Sequence, residues 1–498
     1  MTSSKTANIA FPIIFGISFI AFSFLYLQYG VDDSFITFRY ANNFVKHGIW
    51  NWNSSGERVE AYTNFSYAIL SILPEILEIS PLIFSKLLGG CLFLWISIRT
   101  YKIIGPQLRL WLLLGFVFLN PIFYVHSYSG LETSLFVVLL FEILIRVSDK
   151  KSNWPDRHLF ILMLLLSLTR PEGVFFSLMA FGCYYNNQKK IESKATLAII
   201  ITLSFIYFYL RYSYFGQILP NTFYVKSGAS FSWYRFFGYI AGSAPFWGAP
   251  LLFIFVKNTN FRVLLSSSII VNLYYACSDL QMNYEYRFPF QTLMPFYLAA
   301  IYLAESKNRL HYVSVVVALS LGAIWGAQNT RATITYYPRL QQSYGALGSA
   351  LSKFRADNLK LVSGDVGLIP YYSGWNTLDF IGLASEQVAR RGLSIKTMEE
   401  YNPDLILVYS VQRDGFSTGF DNIRNMEIVR KFLTNNEEFE LVGAVKLDDK
   451  FFLQAYLKKS TKKFIEIKKS IAEVENKSMN FKLDAGKYFS LYYLKYPD

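Results

Sequence analysis

Three cysteines in 498 residues, Cys91, Cys183 and Cys277, each inside an apolar stretch and none in a C-x-x-C pair, leave no material for a disulfide framework or a thiolate metal site. Histidine is as sparse: His47, His126, His158 and His311 are scattered, so a zinc cluster has no obvious ligands. Acidic residues are the minority, 35 against 48 Lys and Arg, for a net charge of +13. That excess does not point to nucleic acid, because the basic residues sit in short clusters between apolar runs, as the positive-inside bias places them. No G-x-G-x-x-G opens a βαβ unit and no P-loop occurs, so nucleotide-binding folds are not indicated. No internal repeat is visible either, which counts against a transporter built from duplicated halves.

What is abundant is apolar. Hydrophobic residues make up 53% of the chain, above the usual 45–50% of soluble domains, and the mean hydropathy is +0.26. The 36 Tyr and 45 Phe suit anchoring at a membrane interface and the walls of ligand grooves. The first apolar run, residues 8–29, is too long for a signal-peptide core and lacks a small-residue cleavage site, so it reads as a retained span. Runs of spanning length recur to about residue 327, about eleven in all. Basic clusters at 146–157, 189–194, 257–262 and 307–309 mark the cytoplasmic side. Alternation then places outside the segments 30–63, 126–130, 170–173, 215–245 and 279–288. Residues 64–98 hold two apolar stretches where parity allows one crossing, so residues 65–79 are expected to be interfacial or re-entrant. After residue 330 the pattern turns mixed α/β, with strand-like runs at 359–363 and 404–409 between Gly, Pro and Asp turns. The expected architecture is therefore a polytopic α-helical membrane unit over 1–330, with a first outer loop at 30–63, and a soluble α/β unit over 331–498 outside the cytoplasm, the last span at 311–327 running outward.

The acids collect on the outer segments. Asp32 and Asp33 follow the first span directly; adjacent carboxylates at a membrane surface repel and raise each other's pKa unless something uses them. One of them would serve as a general base toward an acceptor hydroxyl, or the pair would cap the helical stretch 34–46. Residues 53–66 offer Glu57, Arg58, Glu60 and Tyr62 among small hydroxyl and amide residues, a set that suits sugar hydroxyls and equally a solvated loop. Glu132 at an outer turn would hold a sugar hydroxyl or serve a helix dipole. Arg170 and Glu172 flank Pro171 within a long apolar run, where charges pair with each other, and an ion pair supporting the turn is expected. Lys226, beside Asn221 and Tyr224 on the largest outer loop, would meet a phosphate or lipid headgroups. Arg287, beside Tyr286, offers a bidentate fork to a phosphate or pairs with Glu285. Asp365 ends a strand-like run and reads as a turn residue, and the lysines at 458, 459, 462, 463, 468 and 469 read as a solvated charged surface.

Taken in order, Asp32-Asp33, Phe38-Arg39-Tyr40, GERVEAYTNF at 56–65, SGLETSLF at 129–136, LTRPEG at 168–173, Phe215-Gly216-Gln217 with LPNTFYVKSG at 219–228, YEYRF at 284–288 and SGDVGLIPYYSGWNTLDFIGLAS at 363–385 resemble the terminal arabinofuranosyltransferase family of GT-C glycosyltransferases. The match runs through nearly the whole chain. The chain departs from that pattern at Ala61, where Gly is expected, and at 65–67, where a Trp-containing stretch is usual. These departures bear on the acceptor rather than on fold or class.

The resemblance implies a polyprenyl-phosphate sugar donor, a pentofuranose such as arabinofuranose in the best-known members. Transfer would be to a cell-envelope glycan or protein on the periplasmic face of a bacterial inner membrane. It makes Asp32 or Asp33 the catalytic base and makes Arg39, Glu57, Arg58, Glu60, Tyr62, Glu132, Asn221, Tyr224, Lys226, Tyr286 and Arg287 the substrate-binding set. Arg287, Lys226 or a divalent cation would stabilise the departing phosphate, with no metal ligands assigned among the residues. A transporter or flippase of lipid-linked sugars is the rival reading; it predicts polar groups at the bilayer midplane, whereas here the acids cluster on outer segments.

Overall fold

A computed structural model describes residues 2–105, 108–148, 155–188, 193–226, 231–243, 256–278, 283–304, 313, 316, 317, 320 and 330–482. Among these, two helices are long and apolar enough to cross a membrane, Pro81–Ile104 and Lys194–Phe215. The first starts where Ser80 caps the Ile83 amide and Pro81 takes an early position that needs no donor, and it stops at Gly105 with φ 71°. The second ends at Gly216, also left-handed, and turns Phe205 and Tyr209 outward at 72% and 70% exposure. An apolar face that open is suited to lipid rather than water. The first run forms the helix Thr2–Tyr26. The expected count of about eleven spans draws on the run at 311–327, which is almost wholly outside the described residues, as are the basic residues at 149–154, 189–192 and 307–309.

Residues 65–79, expected to be interfacial or re-entrant, break up into short pieces. They form two short helices, Phe65–Leu70 and Ile72–Ile76, parted at Ser71, whose hydroxyl donates to the Tyr67 carbonyl at 2.8 Å. Together they extend only about 18 Å, short of a hydrocarbon core of about 30 Å, whereas Pro81–Ile104 in the same stretch is long and apolar enough to cross one.

An aromatic-rich core holds the helical part: Phe93 stacks on Phe19 at 5.5 Å and meets Tyr124 at 5.0 Å. A second core surrounds a five-stranded sheet of β1 (Lys360–Ser363), β2 (Asn376–Asp379), β3 (Leu405–Ser410), β4 (Phe439–Asp448) and β5 (Phe451–Lys458), in the order β2-β1-β3-β5-β4. β1 pairs in parallel with β2 and β3, while β5 runs antiparallel between β3 and β4. Every residue of β3 is buried, which explains its unbroken apolar run, since a central strand covered on both faces need not alternate. The helix Phe464–Met479 lays Ile467, Ile471 and Val474 on the sheet at helical spacing. Its lysines and their neighbours form surface pairs, Lys462 and Lys463 on Asp357 and Lys468 on Glu440, which water and salt screen.

The two cores share a seam that positions the site. The helix Ser34–His47 follows the first apolar helix in sequence, yet Phe35 and Phe38 are buried in the second core, with Phe35 edge-on to Tyr371 at 5.2 Å.

Candidate active site

The adjacent acids are separated by their surroundings. Asp32 is buried and accepts from the amides of Gly367 at 3.0 Å and Leu368 at 2.8 Å, so it caps the short helix Leu368–Ser373 of the sheet unit rather than the helix that follows it in sequence. Burial and the nearby charges of Asp365 and Asp33 push its carboxyl well above the usual carboxylate range, against the two amides. Gly367 is required here, because a Cβ on it would lie 2.1 Å from the Asp32 carbonyl oxygen and 2.5 Å from its carboxyl carbon. Gly367→Ala is therefore expected to lower the thermal midpoint by several degrees and loosen the seam, read as faster amide exchange at 366–370. An unchanged midpoint and unchanged exchange would show that this contact does not hold the two units together.

Asp33 makes no side-chain capping bond, although it occupies the N-cap position of Ser34–His47, so neither acid caps that helix. Its carboxylate faces an open cleft lined also by Tyr62, Glu132, Arg170, Lys226 and Arg287, enclosing about 760 Å3 with the mouth included. The nearest cation is Arg287, whose Nη1 stands 4.0 Å from Asp33 Oδ2. Burial raises the Asp33 carboxyl above its ordinary range, and Arg287 and Lys226 pull it back.

The other charges of the cleft fall into two groups. Glu132 and Glu172 are both paired with Arg170, the latter at 2.8 Å, and Asn64 donates to the free oxygen of Glu132 at 2.8 Å while Tyr275 donates to Glu172. The ion pair at the Arg170-Pro171-Glu172 turn is thus present and extended by Glu132. Lys226 and Arg287 stand outside that network. Lys226 makes no hydrogen bond or ion pair among the described residues, and Arg287 Nε is buried without a partner. Burial and Arg287 pull the Lys226 ammonium down to about 8. Arg287 is aimed by strained backbone, since the preceding Glu285 and Tyr286 both hold left-handed φ, 44° and 56°, a conformation that costs a non-glycine residue about 1–3 kcal/mol. Glu285 accepts from Thr333 at 3.2 Å through its side chain.

Lys86 ties the site from below. Its ammonium, buried in Pro81–Ile104, donates to the carbonyls of Tyr29 and of Tyr128, at 2.6 Å for the latter. It thereby fixes the chain four residues before Asp33 and four before Glu132.

Seven residues of the expected binding set lie away from this cleft's walls. Arg39 donates to the carbonyls of Trp52 and Trp375; Glu57 accepts from Ser385 and from the Glu386 amide; Arg58 stacks on Tyr214. Glu60 pairs with Arg211 at 2.5 Å, Asn221 donates to the carbonyls of Gly382 and Leu383, and Arg390 lies over the Tyr224 ring at 4.5 Å. Tyr286 packs beside Gly242. Most of these are seam contacts, long in sequence and short in space. Asp365 follows β1 as a turn residue, but its carboxyl is buried beside Tyr344 and Tyr409, and burial raises it to about 6. Sequence reasoning missed the closing wall, Ile381 and Leu383, whose loop is shaped by Asp379 accepting from the amides of Ile381 at 2.8 Å and Ala384 at 2.7 Å. The signal was the DF-x-G pattern after β2. Among the described residues no group of three or more His, Cys, Asp or Glu side chains is placed to hold a metal ion.

Residues 332–460 match a family model described as a domain of unknown function (DUF8728). No curated protein matches the chain. Among solved structures, ArnT from Cupriavidus metallidurans in the apo state aligns with a TM-score of 0.55 at 12% identity, covering 90% of this chain and 98% of that one. ArnT from the same organism bound to undecaprenyl phosphate aligns at 0.54 and 12%, covering 90% and 97%. At that identity the likeness is one of fold alone.

Proposed function

We propose that this protein is a membrane glycosyltransferase that moves a sugar from a polyprenyl-phosphate donor to a cell-envelope glycan or protein acceptor. We place the reaction on the periplasmic face of a bacterial inner membrane, with 1–330 as the membrane unit and 331–498 as a soluble unit on that same face. The observation that carries the reading is the cleft itself, where one carboxylate, Asp33, faces two cations, Lys226 and Arg287, with which no other acid pairs among the described residues. The fold shared with a protein solved with undecaprenyl phosphate supports the donor class. A pentofuranose, and arabinofuranose in particular, is the sugar to which the ordered sequence motifs point.

The chemistry follows from the charges. The acceptor hydroxyl oxygen forms a bond to the anomeric carbon as the bond from that carbon to the phosphate oxygen breaks. The electron pair leaves with the polyprenyl phosphate, whose extra charge is met by the Arg287 fork and the Lys226 ammonium. Asp33 takes the hydroxyl proton, and Arg287 keeps it ionised until then. Asp32, held by two amides, positions the sheet unit over the cleft instead of entering the reaction.

The direct test pairs deletion of the gene with mass spectrometry of envelope glycans and glycoproteins, and the purified chain with undecaprenyl-phosphoryl arabinofuranose plus envelope extract. A residue missing from the mutant envelope and undecaprenyl phosphate released in vitro are expected. An unaltered envelope together with no release from pentose or hexose donors would sink the reading.

A pH profile checks the cation assignment. Asp33 must be ionised and Lys226 protonated in the free enzyme, so kcat/KM is expected to rise through a pKa above the ordinary carboxylate range and to fall near pH 8. Lys226→Arg, which stays charged, should remove the alkaline fall. If the fall persists unshifted, another group is titrating.

A further inference from the structure

A second polar cleft of about 730 Å3 opens on another face of the helix Ser34–His47, between the first outer segment and the sheet unit. Its walls include Arg39, Asn42, His47, Ser54, Arg355 and Asn376, and among the described residues no Asp or Glu is part of them; the nearby carboxylate of Glu75 stands behind Asn42 and Tyr371 and accepts from each at 2.8 Å. Arg39 is 3% exposed, and each bond its guanidinium makes is to a neutral acceptor: the Trp52 carbonyl at 2.6 Å, the Trp375 carbonyl at 2.8 Å and the Asn53 amide oxygen at 3.2 Å. Its remaining nitrogen, Nη1, is buried with no partner. A buried charge is expensive unless an opposite charge meets it, and here a second guanidinium makes matters worse. Burial first and Arg355 next pull the Arg39 side chain down to about 9.

Arg355 is held in place rather than loose on the surface. Its Nε donates to the Ser373 carbonyl at 3.0 Å and its Nη2 to the Tyr372 carbonyl at 2.7 Å. Gly374, at φ 69°, leaves the room it needs, since a Cβ there would stand 2.2 Å from Arg355 Nε. Two ordered guanidiniums that no carboxylate pairs with among the described residues, bordered by amides and a hydroxyl that both donate and accept, form a site for an anion that also carries hydroxyl groups.

We propose that this cleft binds the carboxylate or phosphate group of an anionic glycan, and so docks the acceptor while its terminal hydroxyl reaches Asp33. The acceptor role rests on the transferase reading above; the binding does not. The geometry allows one extended molecule to reach both clefts, because Arg39 lies about 9 Å along the helix from Asp33 and His47 about 21 Å. The donor phosphate is accounted for at Arg287 and Lys226, so the second cation pair calls for a second anion.

The test uses the full chain in detergent, with trigalacturonate, neutral galactotriose and inorganic phosphate as probes, measured by calorimetry beside undecaprenyl phosphate. Trigalacturonate is expected to bind at least roughly tenfold more tightly than galactotriose or inorganic phosphate. Arg355→Gln, at an exposed position, is expected to weaken it by about tenfold or more while undecaprenyl phosphate binds as before. Equal affinity for galactotriose, or for phosphate alone, overturns the anionic-glycan assignment, and so does unchanged trigalacturonate binding in Arg355→Gln and Arg355→Glu. A wild-type chain that fails to bind undecaprenyl phosphate but still takes trigalacturonate through Arg355 would count against the transferase reading and leave this site standing.

Discussion

Asp33→Asn is expected to lower sugar transfer by about two to four orders of magnitude with the protein folded and undecaprenyl phosphate bound as tightly as before or more tightly. The amide keeps the shape of the carboxylate and removes its ability to take a proton. It also removes a negative charge 4.0 Å from Arg287, freeing that cation for the phosphate, which is why donor affinity should not fall. Asp32→Asn separates the two acids. Its carboxylate accepts two amide bonds that a side-chain amide meets with one oxygen, so the loss there is of docking between the units. That variant should show a lower thermal midpoint and a modest loss of rate. Transfer that survives Asp33→Asn but vanishes in a well-folded Asp32→Asn protein would reverse the assignment of the base.

The adjacent acids also show where reading the sequence stops. The helix after Asp33 and the strands β1 and β3 were legible because they depend on local apolar runs and turn residues. Asp33, Glu132, Lys226 and Arg287, which share one cleft, were legible as charges between apolar runs, each attached to a motif, and Tyr62 by its place among sugar-suited residues. The partition between Asp32 and Asp33 was not, because Asp32 is engaged by Gly367, 335 residues away. Arg39, Glu57 and Asn221 went the same way, binding seam partners that only the fold brings near, and Glu60 pairs with Arg211, 151 residues on. The same distance hid the wall at Ile381 and Leu383, where an apolar loop carries no chemical signal of its own and joins the cleft through the bonds Asp379 makes to its backbone.

Arg170 carries the largest stability effect expected in the molecule. Its guanidinium stands between Glu132 and Glu172, with side-chain exposures of 8%, 4% and 12%, and rests on the Phe288 ring at 5.4 Å. Arg170→Met leaves two carboxylates inside with Asn64 and Tyr275 as their remaining named donors, and breaking a buried pair in this way costs about 3–5 kcal/mol. The measured result would be a chain that fails to accumulate in the membrane or unfolds far below the parent temperature. Adding Glu132→Gln and Glu172→Gln to Arg170→Met removes the stranded charges and should restore most of the stability, because a neutral cluster of similar volume avoids the desolvation cost of the ions. Transfer in that stable triple variant then decides the role of Glu132. Near-parental rate makes the cluster a strut that aims Asp33 and Arg287. A folded chain that binds undecaprenyl phosphate yet transfers no sugar makes Glu132 a contact to the substrate itself, and its carboxylate, already on the cleft wall, is placed to meet a sugar hydroxyl.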